Sequence, residues 1–181
     1  MRTLLFLLFG LSLAGSFAKA APSLIGQKPP EWTATEWLNS KPLTLAELRG
    51  KVLVVRWWTG PGCPYCTRSA AVLNRLWEKD RQRGLVVIGM YHHKSEEPLT
   101  MEHVVQQTKR LGFAFPVAVD RDWKTLHRWW LDPQQGTAWT SVTFVIGRDG
   151  AIRHIHPGGA IVEGEADCTE LEKAVETALA E

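Results

Sequence analysis

The apolar residues of this chain form short blocks of two kinds. "VLVVRWW" (52–58) and "LVVIGMY" (85–91) are continuous apolar runs rich in β-branched and aromatic residues, a composition typical of buried strands. Between them, from Pro64 to Arg83, apolar residues recur at helical spacing, and Gly84 is a typical stop. Two strands joined by a helix form a βαβ unit, so we expect them to be parallel with a right-handed crossover.

The second half of the chain continues the alternation. It predicts a helix, a strand, a short helix, a hairpin whose turn is "GRDG", and a closing helix with Asp167 and Glu170 spaced as a capping box. These elements lie in "TMEHVVQQTKRLGF" (100–113), "FPVAV" (115–119), "DWKTLHRWWL" (122–131), "VTFVI" (142–146) with "AIRHIH" (151–156), and "DCTELEKAVETALA" (167–180). The order predicts an α/β protein with a thioredoxin-like fold, in which helices flank a central mixed β-sheet. An αβ insertion follows the first βαβ unit.

The N-terminus has the pattern of an export signal. One arginine precedes an apolar stretch from Thr3 to Gly15, and Ala18-Lys19-Ala20 forms an A-x-A cleavage pattern. We therefore expect residues 1–20 to be a signal peptide cut after Ala20, which places the mature protein in the periplasm. The stretch is shorter than the roughly 20 apolar residues of a transmembrane helix, so no membrane span is expected after cleavage; an uncleaved anchor is the alternative.

The mature chain is predicted to hold one domain. Residues 21–42 contain four prolines and are expected to be irregular, and 43–181 form the thioredoxin-like domain. Loss of Arg2 and Lys19 lowers the 21 basic residues to 19, which balances the 19 acidic ones. This balance gives no electrostatic reason to expect a nucleic-acid partner. No Gly-rich phosphate loop stands between a strand and a helix, so no organic cofactor is expected.

Two cysteines in "PGCPYC" (61–66) stand where the first strand meets the first helix. Cys63 would be the N-cap of the helix, where free backbone N–H groups and the helix dipole favour a thiolate. Cys63 is therefore the predicted attacking nucleophile and Cys66 the resolving cysteine. Pro64 suits the first helical turn. For a CxxC pair alone, a structural disulfide or half of a zinc site would be the alternatives.

The conjunction of motifs resembles one family. "LTLAELRGKVLVVRWW", the CxxC pair, "GLVVIGMY", "FPVAVDRD" and "TFVIGRDGAIRHIHPGG" together resemble the TlpA/ResA-like thiol-disulfide oxidoreductases and related redoxins, from about Leu43 to Gly159. The resemblance implies disulfide exchange with protein substrates as a reductase, recharged by a membrane electron donor. It also implies a substrate groove, formed here by Pro64, Tyr65, Thr140, Ser141 and Val142.

Three positions depart from the pattern of that family. Gly62 stands where relatives usually have tryptophan, and Ser141 where a cis-proline is usual. Arg56 falls where thioredoxins have a buried acid. A cation there would favour the thiolate, unless the side chain simply reaches solvent.

The missing proline raises a second interpretation, a copper-handling or other metal-binding protein. Thiolates and imidazoles suit Cu(I) or Zn(II). Strand topology brings four histidines to the CxxC end of the sheet, so the candidate ligands are Cys63, Cys66, His92, His93, His154 and His156. A peroxidase-like redoxin is a third alternative.

Two further residues are candidates for roles in this site. Cys168, predicted as the first residue of the last helix, is a possible third thiol that resolves a disulfide with Cys63; an idle structural thiol is the alternative. Most tryptophans fall on predicted strands or helices and are expected to pack in the core. Trp139 precedes "TSV" in a loop and is expected to line the substrate groove.

Overall fold

The two continuous apolar runs lie side by side in the middle of a mixed sheet. In the computed structural model, which describes residues 23–60, 62–134, 136–137 and 139–181, they are the parallel strands β2 (Val52–Trp58) and β3 (Leu85–Tyr91). The helix between them is α1 (Pro64–Asp80), followed by a 3-10 turn. Gly84 ends it with φ 99°, a left-handed conformation that favours glycine, as predicted.

The remaining elements complete a six-stranded sheet in the order β1-β4-β3-β2-β5-β6. β1 and β6 form its two edges, and β5 and β6 are antiparallel neighbours. The elements are β1 (Trp37–Leu38), α2 (Met101–Arg110), β4 (Val117–Val119), α3 (Lys124–Leu126) with a π-helix (His127–Leu131), β5 (Thr143–Ile146), β6 (Ile152–His156) and α4 (Ala166–Ala180). The mixed sheet and the α2–β4 insertion agree with the prediction.

Both faces of the sheet are covered, which explains why all seven residues of β2 are buried. Alternate residues of a strand point to opposite faces. Val54 and Trp58 pack in the core under α1 and α4, whereas Val55 and Trp57 pack in the core with the π-helix. Arg56 shares the face of Val54 and Trp58 and is 1% exposed. In the part of the chain described, no helix is long and apolar enough to cross a membrane.

Two local predictions differ from the structure. The segment 21–42, which was expected to be irregular, contains β1, and this strand pairs with β4. In the same segment the side chain of Trp32 is buried, and its Nε1 donates to the carbonyl of Leu43 at 2.7 Å. The helix predicted over 122–131 is one α-helical turn followed by a π-helix. The first twenty residues, where the signal peptide is predicted, lie outside the described residues.

The predicted capping box is wrong. The N-cap of α4 is Glu165, which makes no side-chain capping bond, and Asp167 lies inside the first turn. The carboxylate of Asp167 is instead 3.1 Å from Nε2 of His156, at the end of β6. The side chain of Asp167 therefore bonds a residue from a neighbouring strand and does not cap its own helix.

Candidate active site

Cys63 and Cys66 form a disulfide at the start of α1, with Cα atoms 5.4 Å apart. Cys66 is buried at 4% exposure, whereas Cys63 is partly exposed. A partner sulfur therefore reaches Cys63 first. This order of access supports the roles of nucleophile and resolving thiol, which remain a prediction for the two cysteines.

One backbone amide donates to each of the two sulfurs. Cys63 is the N-cap of α1, and its Sγ accepts from the amide of Cys66 at 3.1 Å. Sγ of Cys66 accepts from the amide of Thr59 at 3.4 Å. The N-cap prediction is confirmed, and after reduction the amide of Cys66 would face the thiolate of Cys63.

The loop before the disulfide turns at Gly62. Its φ of 82° lies in the left-handed region, where a residue with a bulky side chain would be strained. Glycine at position 62, where a tryptophan was expected, is therefore explained by this left-handed turn, which glycine adopts without strain.

Arg56 is buried under α1, where it bonds Ser69, and does not reach solvent. Its guanidinium donates to Oγ1 of Thr143 at 2.9 Å, to the carbonyl of Gly159 at 2.6 Å and to Oγ of Ser69 at 3.4 Å. Burial lowers the pKa of Arg56 to about 9, so the group is still a cation near neutral pH. The interpretation that the side chain extends to solvent is wrong, because β2 is covered on both faces and neutral acceptors surround the guanidinium.

Sequence reasoning missed the acceptors around Arg56. Ser69 carries a weak signal, since it is a polar residue among the buried positions of α1. Gly159 and Thr143 carry none, because they come from segments about a hundred residues away in the chain and meet Arg56 only in the fold.

The predicted groove residues Thr140, Ser141 and Val142 are held by side-chain and backbone hydrogen bonds. Oγ of Ser141 accepts from the amide of Gly159 at 3.0 Å. The carbonyl of Val142 accepts from the amide of Trp57 at 3.0 Å. No cis peptide bond occurs among the residues the structure describes. This chain therefore anchors the loop through hydrogen bonds at the position where the resemblance to TlpA/ResA-like proteins led us to expect a cis-proline.

His92 links that loop to the ends of the central strands. Its Nδ1 is 3.0 Å from the carbonyl of Trp58 and its Nε2 is 2.9 Å from Oγ1 of Thr140. A carbonyl only accepts, so Nδ1 carries the proton and Nε2 accepts from the threonine hydroxyl. Burial, assisted by Lys94, lowers the pKa of His92 to about 3. The ring is therefore neutral and acts as a connector between β2, β3 and the groove.

The neutral state of His92 predicts a loss of stability in acid. Above pH 6.5, the ordinary pKa of histidine, the ring is neutral in the folded and unfolded chain. Below it the unfolded chain binds a proton that the folded protein excludes, which costs about 1.4 kcal/mol per pH unit. We expect the free energy of unfolding in urea to fall by about 2 kcal/mol more in the native protein than in His92→Gln between about pH 6.5 and pH 4.5. Equal losses in the two proteins would contradict this assignment.

Two exposed aromatic rings stand beside the disulfide. Tyr65, within the CxxC motif, is 38% exposed and Trp139 is 49% exposed. Their ring centroids are 5.6 Å apart with an edge-to-face orientation. The carbonyl of Trp139 accepts from Nε1 of Trp130 at 2.9 Å. The structure thus places Trp139 next to the predicted groove residue Tyr65.

The predicted metal ligands do not converge. His93 is engaged by the hydroxyl of Tyr91 at 3.0 Å and the carbonyl of Glu97 at 2.6 Å, while His156 pairs with Asp167. Among the residues described, no group of three or more His, Cys, Asp or Glu side chains could hold a metal ion. The interpretation of Cys63, Cys66, His92, His93, His154 and His156 as a shared site therefore gains no support.

Cys168 is the third residue of α4 and is 2% exposed. Burial raises the pKa of its thiol, and the carboxylate of Glu172 raises it further, although Nη2 of Arg75 lies 3.9 Å from the sulfur. The helix N-terminus was expected to favour a thiolate, and the structure gives the opposite direction. A neutral, buried thiol does not support a second resolving cysteine.

The fold and this disulfide define a class of protein, the thioredoxin-fold thiol-disulfide oxidoreductases. Residues 25–155 match the model of the AhpC/TSA family. The chain therefore belongs to the AhpC/TSA family, and the predicted resemblance to ResA-like proteins is confirmed by its relatives.

One curated relative is the thiol-disulfide oxidoreductase ResA of Bacillus anthracis, 27% identical over 138 residues that cover 76% of this chain and 72% of that protein. Among solved structures, the thioredoxin-like superfamily protein SPOA0173 has a TM-score of 0.68 and 25% identity, covering 85% of this chain and 97% of that one. A secreted Mycobacterium tuberculosis disulfide oxidoreductase homologous to E. coli DsbE has a TM-score of 0.59 and 18% identity, with coverages of 81% and 94%. The peroxidase alternative gains no support from these relatives.

Proposed function

We propose that this protein is an exported reductase that passes electrons from the reduced Cys63–Cys66 pair to disulfides of other proteins. The observation that carries the proposal is the asymmetry of the pair. Cys63 is accessible at a helix N-cap, and Cys66 is buried directly behind it. Such a pair can attack a partner and then release it without exposing both sulfurs.

The exchange proceeds in two steps that balance. The Cys63 thiolate attacks one sulfur of the partner disulfide, and the other partner sulfur leaves as a thiolate. Cys66 then loses its proton and attacks Cys63 in the mixed disulfide, which frees the second partner sulfur. The pair has given up two electrons and the proton of Cys66, the partner has gained the two electrons and takes up that proton and one more from solvent, and the Cys63–Cys66 disulfide is formed again.

The surface beside Cys63 favours polypeptide substrates. Pro64, Tyr65, Thr140, Ser141 and Val142 would form the groove, and Trp139 would extend it through its contact with Tyr65. Exposed aromatic rings next to an accessible sulfur give an apolar contact area that a small thiol cannot use. The substrates would therefore be proteins with an accessible disulfide.

The proposal also includes export of the protein and renewed reduction of its Cys63–Cys66 disulfide. The signal pattern in residues 1–20 supports a periplasmic location for the thioredoxin-like domain, residues 43–181. A reductase in an oxidising compartment must be reduced again, so a membrane electron donor would supply the electrons, as the resemblance to TlpA/ResA-like proteins implies. The same resemblance supports the direction of electron flow.

The reduction potential of the Cys63/Cys66 couple tests the direction. Mature protein is equilibrated in thiol buffers of known potential, alkylated, and read by mass spectrometry. We expect a value nearer to about −270 mV than to about −120 mV. A Cys168→Ser variant is the control and should give the same potential, because that thiol is buried. A value near −120 mV, at the oxidant end of the scale, would overturn the reductase assignment.

A further inference from the structure

A chain of hydrogen bonds joins the buried guanidinium of Arg56 to the exposed sulfur of the disulfide. Nη2 of Arg56 donates to Oγ of Ser69 at 3.4 Å. That hydroxyl donates to the carbonyl of Tyr65 at 2.8 Å. The Tyr65 carbonyl shares a peptide group with the amide of Cys66, which donates to Sγ of Cys63 at 3.1 Å. Three hydrogen bonds and one peptide group thus separate the cation from the sulfur.

The direction of this chain is set by the chemistry of its members. A hydroxyl has one proton to donate and two lone pairs. Oγ of Ser69 also accepts from the amide of Ile161 at 2.9 Å, so the amide and the guanidinium occupy its acceptor positions. Its proton is left for the Tyr65 carbonyl, which can only accept. In this chain of hydrogen bonds, every donor therefore points toward Cys63.

The cation at the start of this chain of hydrogen bonds pairs with no carboxylate among the described residues. Arg56 is 1% exposed, and its other hydrogen bonds go to Thr143 and to the backbone of Gly159, both neutral. None of the ion pairs found among the described residues includes Arg56. The pKa values of the histidines His92 and His156 are lowered mainly by burial, and the charge of Arg56 lowers both further. An unbalanced charge at low dielectric polarises the bonds that follow it.

We propose that Arg56 is a positioning residue that acts through Ser69 and the Tyr65–Cys66 peptide group to stabilise the Cys63 thiolate, and so raises the reduction potential of the couple. The inference rests on the proposed function, since it concerns the same dithiol. A buried arginine linked in this way does the reverse of what a buried carboxylate would do. It keeps the attacking sulfur ionised.

The effect on potential follows from the balance of the reduction. Two glutathione molecules supply two electrons, the Cys63–Cys66 bond breaks, and one glutathione disulfide forms. Of the two protons from the glutathione thiols, one is taken by Cys66, and the other goes to solvent while Cys63 stays a thiolate. Stabilising that thiolate favours the reduced protein, which is a higher potential.

Two variants break the chain of hydrogen bonds at different points, and a third variant serves as their matched control. Ser69→Ala removes the connecting hydroxyl, and Arg56→Met removes the charge. Thr67→Ala is the control, because its hydroxyl also bonds a carbonyl of the CxxC motif, that of Cys63 at 3.3 Å, but has no link to Arg56. The pKa of Cys63 is measured from the pH dependence of its alkylation rate, and the equilibrium with glutathione from the oxidised and reduced fractions.

We expect Ser69→Ala to raise the pKa of Cys63 by about one unit. The equilibrium constant for reduction should fall about tenfold, which corresponds to about 30 mV for a two-electron couple. Arg56→Met should shift both quantities in the same direction by at least as much, and Arg56→Lys should recover part of the shift. Thr67→Ala should change neither.

The outcomes separate the inference from the proposed function. If Ser69→Ala behaves like Thr67→Ala while all variants exchange with glutathione, the inference is wrong and the proposed function stands. If the native disulfide does not exchange with glutathione at all, the proposed function itself fails. Near-UV circular dichroism establishes that each variant is folded; should Arg56→Met fail this criterion, the comparison of Ser69→Ala with Thr67→Ala decides the question.

Discussion

Replacing Cys63 with serine is expected to abolish thiol-disulfide exchange, with a loss of about a thousandfold or more, the scale seen when a covalent nucleophile is removed. A serine hydroxyl is not ionised near neutral pH and cannot form a disulfide. The fold should be retained, because Cys63 is partly exposed and serine is itself a favourable N-cap residue. Exchange is measured as reduction of a protein disulfide by the prereduced enzyme, with the thermal midpoint as the test of folding.

Cys66→Ser provides the complementary experiment. Without a resolving thiol, the mixed disulfide between Cys63 and its partner should accumulate, and mass spectrometry would then identify the partner protein. Serine at position 66 is buried, so a modest loss of stability is expected alongside the trapped adduct. Exchange that persists in Cys63→Ser, or adducts that form on Cys168 instead, would contradict the assignment of the nucleophile.

Asp120→Ala is expected to lower the free energy of unfolding by about 3–5 kcal/mol, the range for leaving several buried donors unpaired. Asp120 is 2% exposed and lies after β4. Its carboxylate accepts from Nε1 of Trp57 at 3.2 Å, and from the amides of Thr125 at 3.0 Å and Leu126 at 2.8 Å. All three donors would lose their acceptor in an interior that water does not reach.

The matched control is Asp122→Ala, two residues further along the chain. Asp122 is exposed and pairs with Lys124 at the surface, so its removal should change stability by less than about 1 kcal/mol. Urea unfolding of both variants measures the difference. Because Asp120 is tied to the face of the sheet opposite Arg56, exchange by folded Asp120→Ala should stay near the native rate. A stability loss no larger than that of Asp122→Ala would show that the buried donors find other partners.

The structural features that could be predicted are those that short stretches of neighbouring residues determine. β2, β3 and α1 were predicted because a buried parallel strand is a continuous apolar run and a helix against a sheet has a regular apolar spacing. Cys63 was predicted as the N-cap because the dithiol lies where the continuous apolar run of a strand ends and the helical spacing of apolar residues begins. The resemblance to TlpA/ResA-like proteins added the groove residues, for which local patterns alone offered no signal.

The predictions that failed depended on partners distant in the chain. Asp167 and Glu170 matched the spacing of a capping box, but His156 offered Asp167 a bond from a neighbouring strand. Cys168 stands near a helix N-terminus, yet burial outweighs the dipole and raises its pKa. In both cases a local preference of roughly 1 kcal/mol was exceeded by the environment of the folded protein.

Local sequence was therefore sufficient for the βαβ unit and for the position of the dithiol at the start of α1. Those features depend on periodicity and on the end of one helix, which short stretches of chain specify. The environment of the dithiol was decided by the tertiary structure, which brings Ser69 and Gly159 to Arg56 and Thr140 to His92. Desolvation and hydrogen bonding at a buried site depend on which segments meet there, and residues far apart in the chain meet only when the sheet and its helices have assembled.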